Sequence, residues 1–101
     1  MRLNEYEIRT INRLTKDTFG EQAVVRLFGS RTDDRKKGGD IDLCIELPEE
    51  IASKLLILKK AEFLTNLELK IGEQKIDLIV VTENNRKMGV VQTALKEGIL
   101  L

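Results

Sequence analysis

Two aspartates, Asp40 and Asp42, stand one residue apart at the head of an apolar run, and a third, Asp77, sits near the start of another such run. Side chains alternate faces along a strand, so Asp40 and Asp42 share one face, with Cα atoms about 7 Å apart. From there the two carboxylates can converge on one cation, or on two held about 3.5–4 Å apart, as phosphoryl transfer requires. Oxygen-only ligands select Mg²⁺ or a similar hard ion such as Mn²⁺. If the strand bearing Asp77 lies beside the first, all three acids meet on one sheet face. Three such charges repel, and a bound cation removes the conflict. Upstream, Gly29-Ser30 ends a third apolar run. Glycine leaves backbone N–H groups unhindered and serine adds a hydroxyl, which together suit phosphate oxygens. Metal-binding carboxylates opposite a phosphate cradle would make a nucleotidyl-transfer site.

Each feature also has a plainer reading. An Asp-x-Asp alone is usually a turn or a solvated strand edge. Asp77 alone is a structural acid paired with Lys75 or Arg26, because a charge in an apolar strand needs a partner. Gly29-Ser30 alone is a strand-ending turn, and Arg35-Lys36-Lys37 is a solvated loop. The ordered set, Gly-Ser then Asp-x-Asp then Asp, favours the metal reading over the sum of its parts.

Composition narrows the chemistry further. The chain has 101 residues, which suits one domain with a single core. It contains no histidine, which removes Ser-His triads and His-ligated zinc, and leaves its one cysteine, Cys44, without an activating base. Cys44 therefore reads as a small packing residue. A lone cysteine and the lack of a signal-like start or membrane-length apolar run lead us to expect a cytoplasmic protein with no membrane association. Basic and acidic residues balance at 17 each. With no basic excess, direct nucleic-acid binding is not expected, and any nucleotide must be held by a local site.

The elements that would position these residues follow from periodicity. Asn4 and Glu7 form a capping-box pair opening a helix over residues 5–19, with Ile8, Ile11, Leu14 and Thr18 inward and Gly20 as its stop. Residues 23–28 read as a strand, 32–39 as a charged loop, and 41–47 as a second strand with Ile41, Leu43, Ile45 and Leu47 on its apolar face. Pro48-Glu49-Glu50 has the chemistry of a helix start. Ile51, Leu55, Leu58, Ala61, Leu64, Leu67 (or Glu68) and Ile71 then mark a buried stripe on a helix running to about Ile71 and ended by Gly72. Residues 75–81 form a third strand, with Ile76, Leu78 and Val80 on one face and Asp77, Ile79 and Val81 on the other. Asn84 or Asn85 caps a last helix over 86–97, with Met88, Val91 and Leu95 inward and Gly98 as its stop. Ile99-Leu100-Leu101 either packs on the domain's own sheet or forms a partner-binding patch. The order predicts an α/β fold, a small mixed sheet flanked by helices. Strands one and two are expected antiparallel, and strand three beside strand two.

Gly29-Ser30, Gly39-Asp40-Ile41-Asp42 and the later strand aspartate Asp77 together resemble the signature of the polymerase β-like nucleotidyltransferases. The size and the ending Ala94-Leu95-Lys96-Glu97-Gly98 are similar to the minimal members, many of which are antitoxins paired with HEPN-domain toxins. The resemblance spans the chain from the first strand through the last helix. It implies that Gly29 and Ser30 hold the triphosphate, with Arg31 adding a phosphate contact. Asp40 and Asp42 would bind the two metal ions, and Asp77 would complete the metal site and help deprotonate the attacking hydroxyl. The implied reaction is transfer of AMP from ATP to a hydroxyl on a HEPN-type toxin, with Mg²⁺ or Mn²⁺ as cofactor. The rival reading is an antitoxin module that neutralises its partner by contact with little or no catalysis. Homo- and hetero-oligomers are both compatible with the sequence. The loop between Ser30 and Asp40 departs from the family pattern: it is slightly short, lacks the usual small-residue helix start, and carries Asp33, Asp34, Arg35, Lys36 and Lys37.

Overall fold

A computed structural model describes residues 1–33 and 39–101, with Ser30 described by its backbone alone. Expectations about Asp34, Arg35, Lys36, Lys37 and Gly38 therefore lie outside the described residues, as does the Ser30 hydroxyl.

The chain begins with α1 (Glu5–Phe19), followed by β1 (Val24–Phe28), a 3₁₀ turn (Gly29–Thr32) and β2 (Ile41–Glu46). Next come α2 (Ser53–Ile71), β3 (Ile76–Val81), α3 (Gly89–Glu97) and the short β4 (Ile99–Leu100). The strands form one mixed sheet in the order β3-β2-β1-β4. β1 runs antiparallel to both β2 and β4, while β2 and β3 are parallel and joined through α2. The expected α/β architecture is the one observed.

Period-two patterning decides which face of the sheet each residue serves. Val25 and Leu27, with Ile41, Leu43, Ile45 and Val80, pack against Ile11 of α1 and Phe63 and Leu67 of α2. The Phe19 and Phe63 rings meet here at a tilt, 5.9 Å between centroids. The opposite face is smaller: Cys44 and Val81 pack with Val91 and Ala94 of α3, flanked by Phe28, Ile79 and Leu95. The even-numbered positions of β2 and the odd-numbered positions of β3, including Asp42 and Asp77, belong to this second face. No helix among the described residues is long and apolar enough to cross a membrane.

The start of α1 matches expectation, with Asn4 Oδ1 accepting from Glu7 N–H and Glu7 Oε1 accepting from Asn4 N–H. Two helix starts do not. α2 begins at Ser53, not at Pro48, and Ala52 caps it without a side-chain hydrogen bond. Glu50, expected to serve the helix dipole, instead accepts from the Asn84 backbone and side-chain amides. That contact ties residue 50 to the segment after β3 rather than to a helical turn. α3 likewise starts at Gly89, because Asn85 accepts from Thr82 N–H and donates to the Val80 carbonyl, closing a turn instead of capping a helix. Met88 is consequently exposed rather than inward, while Val91 is buried and Leu95 partly so.

The stripe expected to bury α2 is also partly wrong. Phe63 and Leu67 are fully buried and Leu56, Leu64 and Ile71 pack beside them, but Leu55, Leu58 and Ala61 face outward. A helix that is apolar on several sides gives periodicity no single answer. The terminal residues join the domain's own sheet: β4 extends it beyond β1 with Ile99 and Leu100 exposed, and Leu101 N–H donates to the Val25 carbonyl while its side chain reaches the core.

Candidate active site

The polar groups of interest gather where β1 ends and β2 and β3 begin. Parallel register sets Asp42 directly beside Asp77, and antiparallel register sets Phe28 beside Asp42. Residues in register project to the same face of a sheet, so Asp42 and Asp77 stand together on the α3 side. The chain leaves Phe28 through Gly29 at φ +76°, a left-handed conformation that glycine adopts without strain. This turn brings the Gly29 backbone hard against the Asp42 carboxylate. A Cβ built on Gly29 would lie 3.1 Å from Asp42 Cγ and nearer still to Oδ2. The glycine is thus required by the acid as well as by the turn.

The Asp42 carboxyl is pushed above its ordinary value. Burial is the main cause; the Asp77 carboxylate adds to it as a like charge and as a hydrogen-bond partner, and Asp40 adds a further repulsion. Lys75 acts in the opposite direction. Its ammonium lies 3.4 Å from Asp40 Oδ2 in a largely exposed pair. Of the two partners considered for Asp77, Lys75 therefore pairs with Asp40, and Arg26 pairs with Glu46 at 2.9 Å. Asp40 pairs with Lys75, and no three acids or thiols among the described residues form a ready-made metal cage.

The acids nonetheless have the chemistry of a divalent-ion site. Two carboxylates in register, one of them raised by burial and by repulsion, gain most from a shared cation. Asp42 and Asp77 stand side by side in register, while Asp40 is paired with the exposed Lys75. Such a pair also predicts a pH signature. A carboxyl raised on folding binds its proton more tightly in the folded than in the unfolded state, so stability falls as pH climbs from the ordinary carboxylate range through the raised value. In metal-free buffer, Asp42→Asn is expected to melt higher than wild type at neutral pH, with the gap closing as the solution is acidified. An Asn variant that melts no higher than wild type at neutral pH would mean that the Asp42 charge is already compensated.

Arg31, expected to contact phosphate, is engaged elsewhere. Its guanidinium donates to the Arg2 carbonyl at 2.9 Å, to Gln74 Oε1 at 3.2 Å and, more weakly, to the Gly39 carbonyl at 3.4 Å. The Arg2 N–H returns a bond to the Arg31 carbonyl at 2.8 Å. Gln74 also donates to Glu7 at 3.3 Å. Arg31 thereby ties the turn after β1 to the amino-terminal segment and to the loops entering β2 and β3. In this arrangement it fixes the frame around the acids. Periodicity carries no signal of such a network, because its acceptors are distant in sequence.

Two more residues of the same sheet face play supporting parts. Glu46 accepts from Arg26 and from Arg86, which hold its carboxyl below the ordinary range. The cluster fastens the turn after β3 to the far end of β2. Cys44, between Asp42 and Glu46, is fully buried, and burial raises its thiol. It is a packing residue, as expected, and not a nucleophile.

The description of the Nucleotidyltransferase domain family matches residues 8–101 of the chain. No curated protein matches it.

Proposed function

The chain belongs to the Nucleotidyltransferase domain family, and from that premise we propose that it transfers AMP from ATP to a hydroxyl group on a protein, with a HEPN-type toxin as the acceptor. Nucleotidyl transfer follows from the family; the nucleotide, the acceptor and the roles of individual residues are our reading. The observation that carries it is the Asp42–Asp77 pair, in register on adjacent parallel strands, with Asp42 against the left-handed Gly29. Asp40, Asp42 and Asp77 would hold Mg²⁺ or Mn²⁺, which when bound supplies charge neutralisation at the attacking and leaving oxygens. Gly29 and Ser30 would receive the triphosphate oxygens through the backbone N–H groups of the turn and the serine hydroxyl. Asp77, the most exposed of the paired acids, would accept the proton of the incoming hydroxyl. Arg31 would keep the turn seated. The departing group is pyrophosphate, and the bond formed joins the α-phosphorus to the acceptor oxygen.

One observation favours a second reading. Asp40 is already paired with Lys75, so the three acids do not form a group in advance. An antitoxin module that neutralises its partner by contact needs no such convergence.

Ligand-linked stability tests the site itself. A ligand that binds only the folded state raises the melting temperature. Mg²⁺ with ATP is expected to raise that of the wild type by several degrees and to leave Asp42→Asn unmoved. Equal responses in the two proteins would show that the metal-nucleotide site lies elsewhere.

A further inference from the structure

α2 buries one side against α1 and the sheet, and among the described residues nothing covers its outward arc. Leu55 is 45% exposed, Ile57 and Leu58 are each 67% exposed, and Leu69 is 79% exposed. At 100° per residue these four, with exposed Ala61 and Thr65, lie on the outer half of the helix. Single exposed apolar residues are ordinary, but four large ones on one helix make a patch.

The arc carries exposed Glu62 at mid-helix and two charges at its ends that are placed against the helix's own interest. Lys54 stands in the first turn, where the dipole favours acids, and that turn contains no acid. Glu68 stands in the last turn, where the dipole favours bases. The two are separated by about 21 Å along the axis, on the same side of the helix. An antiparallel second copy turns both into assets. Lys54 of each copy then faces Glu68 of the other, whereas parallel pairing would set like charges together. The residue midway between them is Ala61, small enough to let the two helices approach closely at the crossing. Leu58 of each copy then packs beside Ala61 and Thr65 of the other.

We propose that the outer face of α2 is a self-association surface, on which two copies of this chain pair antiparallel across a two-fold axis at Ala61. The acid site lies on the opposite sheet face, toward α3, so both sites remain open in the pair. A single helix face is small for an interface, which puts the dimer at the weak end of specific association.

Sedimentation equilibrium from roughly 1 to 500 µM covers the range in which such a dimer forms. The wild type is expected to pass from monomer to dimer across it. Leu58→Glu, at a position too exposed to govern folding, should melt as wild type when dilute, yet raise the dimer dissociation constant by roughly tenfold or more. Lys54→Glu should weaken the dimer by opposing two acids, and Lys54→Glu with Glu68→Lys should restore it. A wild type that stays monomeric throughout overturns the proposal and leaves the face to a different protein. Dimers that Leu58→Glu does not weaken overturn it as well. A double variant no tighter than Lys54→Glu alone overturns the antiparallel arrangement.

Discussion

Asp77→Asn is expected to lower transfer of labelled AMP to the partner protein by about 10²–10⁴-fold, the usual cost of losing a general base. Binding of metal-nucleotide should survive in weakened form, because Asp40, Asp42 and the Gly29 turn remain. The fold should hold as well. Asp77 is exposed, and removing it relieves the carboxylate pressing on Asp42. The decisive measurement mixes the purified chain, the proposed toxin partner, Mg²⁺ and labelled ATP, and follows both the label and the partner's activity. Catalysis predicts that label transfer and neutralisation disappear together in Asp77→Asn. A contact-only antitoxin predicts an unlabelled partner neutralised equally by wild type and variant. That result would leave the fold standing and remove the chemistry.

Gly29→Ala is expected to be the most damaging small substitution at the site. A left-handed conformation costs a non-glycine residue about 1–2 kcal/mol. In a domain of this size, that lowers the melting temperature by roughly 4–16 °C. The new methyl group must also displace the Asp42 carboxylate, which lies where it would stand. The carboxylate is the free end of a side chain and can swing aside, so the protein should still fold. The stabilisation by Mg²⁺ with ATP should be lost. Gly72→Ala is the control, since Gly72 has φ +91° but open space around its would-be Cβ. It should lower the melting temperature through backbone strain alone and keep the metal-nucleotide response. A Gly29→Ala protein with an intact response would show that Asp42 is free of the turn.

The parts of this structure that could be read in advance are those decided by near neighbours. The Asn4–Glu7 box spans three residues and set the start of α1. Alternation set Asp42 opposite the apolar face of β2 and Asp77 opposite Ile76, Leu78 and Val80 in β3, and the pairing of the two strands then joined the acids on one face. What could not be read depended on partners far along the chain. Pro48-Glu49-Glu50 has the local chemistry of a helix start, but Glu50 answers to Asn84. Asn85 has the chemistry of a cap but spends its amide on Thr82 and Val80. Arg31 has the chemistry of a phosphate ligand, yet its acceptors at Arg2 and Gln74 lie 29 and 43 residues away. Lys75 was recognised as a partner for an acid, and only the register of the strands decided that the acid was Asp40.

The strand order has a consequence for solubility. β3 is the outermost strand on its side of the sheet. Its sequence, Ile76–Val81, carries five apolar residues and a single charge, Asp77. Short apolar segments of high strand propensity at a sheet edge are templates for adding strands from other molecules, and an interrupting charge is what restrains them. Asp77 therefore stands guard over the only charged position in a segment otherwise suited to stacking. Any exchange of this aspartate for a neutral or apolar residue alters colloidal behaviour along with chemistry. The position carries two demands: the role we propose for the acid toward a nucleotide, and the restraint it places on what the sheet could do to itself.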